Sequence, residues 1–308
     1  MQRDRQMIPA ESELRSGRGY LEHRVPRGPH HLYARDYPGE QPAIVLLHGF
    51  PDNLHLYDRL VPQLAPRRVV TLDFLGWGAS DKPAGHPYTA RNQLGDLDAV
   101  IEHLQLASVA LVAHDASGPP GINWALDHPS RVDALVLLNT YYSRMRGLRR
   151  PEAISLFSTP VVRRVARPVS RMFGDLLFRR LYEWQVGCFF RDPEVRARFV
   201  PLLYQQFAAN PSTHEAFFGL NEDLLSTYAS GTAAVPRLRR FTRPVRIIFG
   251  AADPYLNSRV AERFHELFPT SELFLLPDAR HYVQMDEPRQ VAALILAVPN
   301  ADRRQGNP

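Results

Sequence analysis

Three residues whose types suit nucleophilic catalysis fall in the order Asp115, Asp253, His281, each shortly after a short apolar run. Asp115 sits in Ala113-His114-Asp115-Ala116-Ser117-Gly118, Asp253 in Gly250-Ala251-Ala252-Asp253-Pro254, and His281 ends Pro277-Asp278-Ala279-Arg280-His281. A strand that turns abruptly into a helix exposes the residue at its apex in a strained backbone position, so small neighbours are required; Ala113, Ser117 and Gly118 supply them. Taken alone, the same aspartate reads equally well as the N-cap of an ordinary helix. His281 alone reads as a surface or core histidine. What favours catalysis is the chain order nucleophile, acid, histidine, with each member beyond a predicted strand. His48-Gly49-Phe50-Pro51-Asp52 follows an earlier apolar run, and its backbone N–H groups could point at a developing oxyanion or form only a Gly-Pro turn.

The elements that must position these residues are legible as periodicity. Ile44 to Leu47, Ser108 to Ala113, Val132 to Leu138 and Val245 to Phe249 are continuous apolar runs, the pattern of strands buried on both faces. Leu273 to Leu276 runs into the segment that carries His281. Ala90 to Leu106 has Leu94, Leu97, Val100, Ile101 and Leu104 at helical spacing, and a helix to about His128 follows Asp115. Strand and helix alternation predicts a mostly parallel, doubly wound α/β sheet. Gly19 to Arg27 and His31 to Tyr37, joined by an Arg27-Gly28-Pro29 turn, are expected to extend one edge as an antiparallel pair. The alternation stops from Tyr141 to about Val235, where helical stretches rich in Phe, Tyr, Leu and Arg predict an inserted cap. The expected division is a core of residues 19–140 and 236–299, a helical cap at 141–235, and flexible termini at 1–18 and 300–308. Pro119-Pro120, in the first turn of the helix after Asp115, is expected to widen or kink that turn.

A chain of 308 residues is long enough for one large core plus an insertion. No apolar run reaches the roughly 20 residues of a membrane-spanning helix, and nothing behind Met1 resembles a signal peptide, so a cytoplasmic protein without membrane contact is expected. The formal charge of +5 comes largely from arginine, crowded between residues 144 and 198 as on a solvated helical face; no nucleic-acid motif accompanies it. Cys188, the single cysteine, has no internal partner and reads as a small buried hydrophobe. Neither metal nor organic cofactor is expected, and a monomer and a homodimer are equally compatible with the sequence.

The segments at roughly 40 to 140 and 240 to 295 resemble the α/β-hydrolase fold, in the branch that holds haloalkane dehalogenases and epoxide hydrolases. Asp73-Phe74-Leu75-Gly76-Trp77-Gly78-Ala79-Ser80-Asp81-Lys82-Pro83 is similar to the dehalogenase pattern after the fourth strand, and His48-Gly49-Phe50-Pro51 to the turn of epoxide hydrolases. The resemblance implies that Asp115 attacks a saturated carbon of a small apolar organic substrate and forms an alkyl ester. His281 would then activate water, Asp253 would orient His281, and the N–H groups of Phe50 and Ala116 would hold the oxyanion.

Departures from the branch bear on the leaving group. Haloalkane dehalogenases carry a tryptophan after the nucleophile and an asparagine or glutamate in the first turn; here those positions are Ala116 and Phe50. Trp184 could donate an N–H to a halide or pack in the interior. Epoxide hydrolases protonate the ring oxygen from cap tyrosines, for which Tyr142, Tyr182, Tyr204 and Tyr228 are candidates, each also a candidate for packing. Epoxide hydrolases also commonly have tryptophan where Ala116 stands. Fluoroacetate-type dehalogenases clamp a carboxylate with arginines after the nucleophile, which Ala116, Ser117 and Pro119 cannot do. Epoxide hydrolysis is therefore the leading expectation, haloalkane dehalogenation the alternative, and a non-catalytic ligand-binding member of the fold a third reading. An acyl hydrolase using Ser117 would need that serine at the apex of the turn, two residues earlier.

Overall fold

The computed structural model describes residues 19–208 and 212–298, with side chains for all of these except 170–177. The termini expected to be flexible, 1–18 and 300–308, lie outside the described residues. The strands are β1 (Leu21–Arg27), β2 (His30–Tyr37), β3 (Glu40–Leu47), β4 (Arg67–Asp73), β5 (Val109–Asp115), β6 (Val132–Thr140), β7 (Val245–Gly250) and β8 (Ser271–Leu276). They form one sheet in the order β1-β2-β4-β3-β5-β6-β7-β8. From β4 to β8 every neighbouring pair is parallel, and β2 pairs antiparallel with both β1 and β4. This is the mostly parallel α/β sheet expected from the alternating pattern, and the arrangement that the α/β-hydrolase resemblance implies.

Burial explains which strands are central. All nine residues of β6 and all six of β7 are buried, so their nearly continuous apolar sequences face helices on both sides. The edge strand β1 alternates exposed positions with half-buried ones and the buried Val25 instead. Helix α1 (Ala90–His103) starts at Thr89, whose hydroxyl accepts the Asn92 N–H at 3.2 Å, and buries Leu97, Val100 and Ile101. Helix α2 (Gly118–Asp127) follows Asp115. Its two prolines cost it no intrahelical hydrogen bond. The first N–H with an intrahelical partner belongs to Gly121, bonded to the Ser117 carbonyl at 2.9 Å, so Pro119 and Pro120 occupy positions whose N–H groups would have no helical acceptor.

Between β6 and β7 the chain forms α3 (Glu152–Phe157), α4 (Pro160–Gly187), α5 (Pro193–Ala208) and α6 (Thr213–Leu238). The helical stretch thus ends at Leu238, a little beyond the sequence-based boundary. These helices lie over the carboxyl ends of the strands, where Phe157, Phe178, Phe207 and Phe217 interlock edge to face and stacked. Cys188, expected to be buried, is only half-buried at the end of α4, where its thiol reaches the Trp184 carbonyl at 3.2 Å. The chain then continues through α7 (Ser258–Leu267), α8 (Val283–Asp286) and α9 (Pro288–Leu296). Among the described residues no helix is long and apolar enough to cross a membrane.

The segment after β4 is a structural clamp rather than a reactive one. The buried Asp73 carboxylate accepts the N–H groups of Leu54 and Ala79, both at 2.8 Å. Gly78, at φ 49°, is required beside it, since a Cβ there would stand 2.0 Å from Asp73 Oδ2. Asp73→Ala would leave two donors without their acceptor. A urea titration should show a loss of about 2–4 kcal/mol; an unchanged midpoint would mean that this clamp does not hold the turn.

Candidate active site

In an open parallel sheet the ligand crevice lies beyond the carboxyl ends of the strands, near the point where strand order reverses. Here that point falls between β3 and β5, and Asp115 ends β5. Its φ is 49°, the left-handed region that a side chain with a Cβ rarely adopts. Sequence reasons for the turn are visible one by one. A Cβ on Gly49 would meet the Asp115 Cβ at 2.7 Å, and one on Gly118 would meet Thr140 Oγ1 at 2.0 Å. Ser117 Oγ accepts the His114 N–H at 2.9 Å and lies within hydrogen-bond reach of the Leu47 and His114 carbonyls. That hydroxyl is buried and committed to the turn, which leaves Ser117 no role as an acyl nucleophile.

The Phe50 N–H donates to Asp115 Oδ2 at 2.9 Å, and the Ala116 N–H also acts on the carboxylate. His281 Nε2 stands 3.9 Å from Asp115 Oδ1, and His281 Nδ1 is 2.8 Å from Asp253 Oδ2. The structure therefore brings Asp115, His281, Asp253, Phe50 and Ala116 into one constellation, from the ends of β3, β5, β7 and β8.

Sequence reasoning missed the residue that aims Asp253. The β5–β6 ladder shifts register at the turn, with His114 opposite Leu138 and Asp115 opposite Thr140. The intervening Asn139 bulges out at φ 26°. Its amide donates to Asp253 Oδ2 at 2.9 Å, while its carbonyl oxygen accepts the Gly250 N–H at 2.7 Å. The Tyr255 N–H occupies the other Asp253 oxygen at 2.8 Å. A polar residue closing the apolar run of β6 was the available signal. His114 was also missed: it packs 4.8 Å from the His281 ring and sits 3.1 Å, through Nε2, from the His281 carbonyl. Burial drives its pKa far below the usual histidine value, so it is a neutral prop.

Electrostatics couple the group. Burial alone would disfavour a charged His281, but the charge and hydrogen bond of Asp253, then the charges of Asp115 and Asp52, raise its pKa to about 9. Burial would raise Asp253 as well; His281 and the N–H groups of Tyr255 and Leu256 hold it below the ordinary carboxylate value. Asp115 is raised by burial, against the pull of His281 and the two N–H donors. Asp52 is buried, accepts the Tyr282 hydroxyl at 2.5 Å, and is pushed up to about 7 chiefly by desolvation.

A cavity of about 700 Å³, including its open mouth, lies over Asp115 and His281 and is walled largely by apolar side chains. Tyr255 lines it with its hydroxyl given to Glu152; so do Tyr228, singled out from sequence, and Tyr141, which like Tyr255 was not. The rings of Tyr141 and Tyr228 meet edge to face at 5.4 Å. Tyr142 is turned away, its hydroxyl on Asn123 at 2.6 Å. Tyr182 gives its hydroxyl to the Pro51 carbonyl at 3.2 Å, and Tyr204 packs against it as part of the aromatic cluster. Trp184 is 50 % exposed on the outer side of α4 and takes no part in the cavity wall, which removes it as a halide donor. Among the described residues no group of three or more His, Cys, Asp or Glu side chains is placed to hold a metal ion.

The family model for the alpha/beta hydrolase fold matches residues 42–288. The chain belongs to the α/β-hydrolase family. It is 27% identical over 271 residues to a haloalkane dehalogenase of Mycobacterium marinum, covering 86% of this hydrolase and 87% of that protein. It is 26% identical over 273 residues to a cis-3-alkyl-4-alkyloxetan-2-one decarboxylase of Xanthomonas campestris, covering 83% and 87%. The crystal structure of the haloalkane dehalogenase DatA from Agrobacterium tumefaciens C58 superposes with a TM-score of 0.75 at 24% identity, over 91% of this hydrolase and 96% of DatA. The family match and the fold mark an enzyme of the α/β-hydrolase type, and haloalkane dehalogenases are among the proteins it is similar to.

Because the His281 pKa lies above the ordinary value, its stabilising contribution is complete below about pH 6.5 and is lost as pH rises through about 9. Proton NMR of the His281 ring should follow this titration. Asp253→Asn should move the midpoint down, toward or below the ordinary value; an unmoved midpoint would show that Asp253 is not the source of the shift.

Proposed function

We propose that this hydrolase opens epoxides through an ester on Asp115. The observation that carries the reading is the pair Tyr141 and Tyr228 in the wall of the Asp115 cavity. Neither hydroxyl has a hydrogen-bond partner among the described residues, and both phenols are raised above their ordinary pKa, first by burial and also by the Asp115 charge. They remain protonated donors at neutral pH, which is what a ring oxygen acquiring negative charge requires. The halide-cradling positions of dehalogenases are Phe50 and Ala116 here, and Trp184 is outside the cavity. The Xanthomonas relative, by its name, processes another strained oxygen ring.

In the proposed reaction the Asp115 oxygen not held by the Phe50 N–H attacks a ring carbon. The carbon–oxygen bond breaks, and the ring oxygen takes a proton from a tyrosine. The resulting hydroxyalkyl ester leaves Asp115 without charge. That loss removes one of the interactions keeping His281 protonated, so its pKa falls as the base becomes needed. His281 then takes a proton from water, whose oxygen adds to the ester carbonyl carbon. The N–H groups of Phe50 and Ala116 stabilise the oxyanion; on collapse His281 gives its proton to the departing alkoxide oxygen, the second water proton returns to the tyrosinate, and a diol and the Asp115 carboxylate are released. A carboxylate suits the first step because it needs no deprotonation before attack.

The deciding experiment is intact-protein mass spectrometry of His281→Ala after incubation with trans-stilbene oxide or with 1-bromohexane. A mass gain equal to the whole epoxide, mapped to Asp115, is expected. Tyr141→Phe and Tyr228→Phe in that background should each slow its appearance by about 10- to 100-fold. An adduct from bromohexane alone would instead support dehalogenation, and no adduct with either, despite binding, would support the ligand-binding reading.

A further inference from the structure

The Asp115 cavity has two features that the chemistry above does not use. It shares Phe50, Ile154 and Phe189 with an annex of about 400 Å³, including its opening. Phe178, Phe207 and Phe217 wall that annex. Its polar residues are turned elsewhere: Tyr182 bonds to the Pro51 carbonyl, and Gln185 takes the Ala153 N–H and gives its amide to the Tyr255 hydroxyl, each at 3.0 Å. The annex therefore offers almost purely apolar contact.

The cavity is also lined by Arg149 and Arg150, both exposed to solvent. Neither guanidinium has an ion pair or side-chain hydrogen bond among the described residues. Arg150 lies near enough to Tyr228 to lower that phenol against the effect of burial. The segment is anchored by the Arg149 N–H on the Tyr255 carbonyl at 2.9 Å. Glu152, whose charge reaches Arg149, is itself held by the Tyr255 hydroxyl at 2.6 Å. Two arginines, neither in an ion pair among the described residues, line a cavity whose proposed reacting group is an anion.

We propose that the substrate is an amphipathic carboxylic acid, with its apolar arm in the phenylalanine-walled annex, its electrophilic carbon over Asp115 and its carboxylate against Arg149 and Arg150. The placement of the electrophile rests on the epoxide reading; the two ends rest on the cavity itself. A second anion beside Asp115 is repelled unless cations offset it, and planar guanidinium forks match a carboxylate in shape as well as charge. The apolar arm gains affinity by leaving water, about three- to fourfold for each methylene buried.

The test uses unreactive probes, so that it reads binding apart from chemistry. Unbranched ω-phenylalkanoic acids of increasing length and their primary amides are titrated into the wild-type protein and Arg149→Gln/Arg150→Gln by calorimetry at low salt. Acids are expected to bind at least tenfold more tightly than their amides, and the double variant to bring the two within about twofold. Affinity should climb with chain length for acids and amides alike, and Leu181→Trp, which narrows the annex, should cut the series short. Equal binding of acids and amides, or an acid preference that survives the double variant, overturns the anion site. Affinity independent of length overturns the annex. If neutral epoxides alkylate Asp115 while acids show no preference, this inference fails and the epoxide reading stands; if acids bind as described and no epoxide reacts, the reverse holds.

Discussion

The backbone at Asp115 is the constraint on which the site depends. A non-glycine residue in the left-handed region costs on the order of 1–2 kcal/mol, and the surrounding side chains are chosen so that this conformation persists. Gly49 and Gly118 leave room that no other residue would leave, Ser117 ties the turn to β3, and the Thr140 hydroxyl donates to the Asp115 carbonyl. The strain lifts the carboxylate off the end of β5 and holds it between the N–H groups of Phe50 and Ala116. The register shift that β6 makes opposite this turn frees Asn139 to reach Asp253. One local distortion thus sets the position of the proposed nucleophile and, through the neighbouring strand, the aim of the acid behind His281.

Charge is organised around a single imidazole. Three carboxylates, Asp253, Asp115 and Asp52, act on His281 from separate elements and outweigh its burial. Only Asp253 bonds to it in the resting site, so Asp253 is a fixed influence, whereas Asp115 changes charge during the proposed reaction. The same chemistry that consumes the nucleophile's charge therefore prepares the base. Neutral His114 beneath the ring keeps the arrangement from acquiring a second cation that would undo it.

The inserted helices contribute in a different way. Their interlocked phenylalanines close the cavity with apolar surface, inside which hydrogen bonds to a developing oxyanion or alkoxide are stronger than in water. Tyr141 and Tyr228 come from different places in the chain, one just after β6 and one in α6, and meet only because α6 crosses the strand ends.

The sheet, its order of elements and the positions of Asp115, Asp253 and His281 were legible in the sequence, because apolar runs report strands buried on both faces and the residues after them fall at one edge. Small residues around Asp115 reported the turn for the same local reason. The side chains facing the cavity were not legible. Tyr182 and Trp184 stand two residues apart in one helix and so point to nearly opposite faces; which of them turns inward depends on how α4 rotates against the sheet. Asn139 carries no signature beyond polarity, since its role arises from a register shift between two strands. Sequence by itself determined the fold and the residues at the strand ends, where local pattern and chain order suffice; tertiary structure alone decided which tyrosines line the cavity over Asp115, because the packing of the inserted segment against the sheet sets the direction of each side chain.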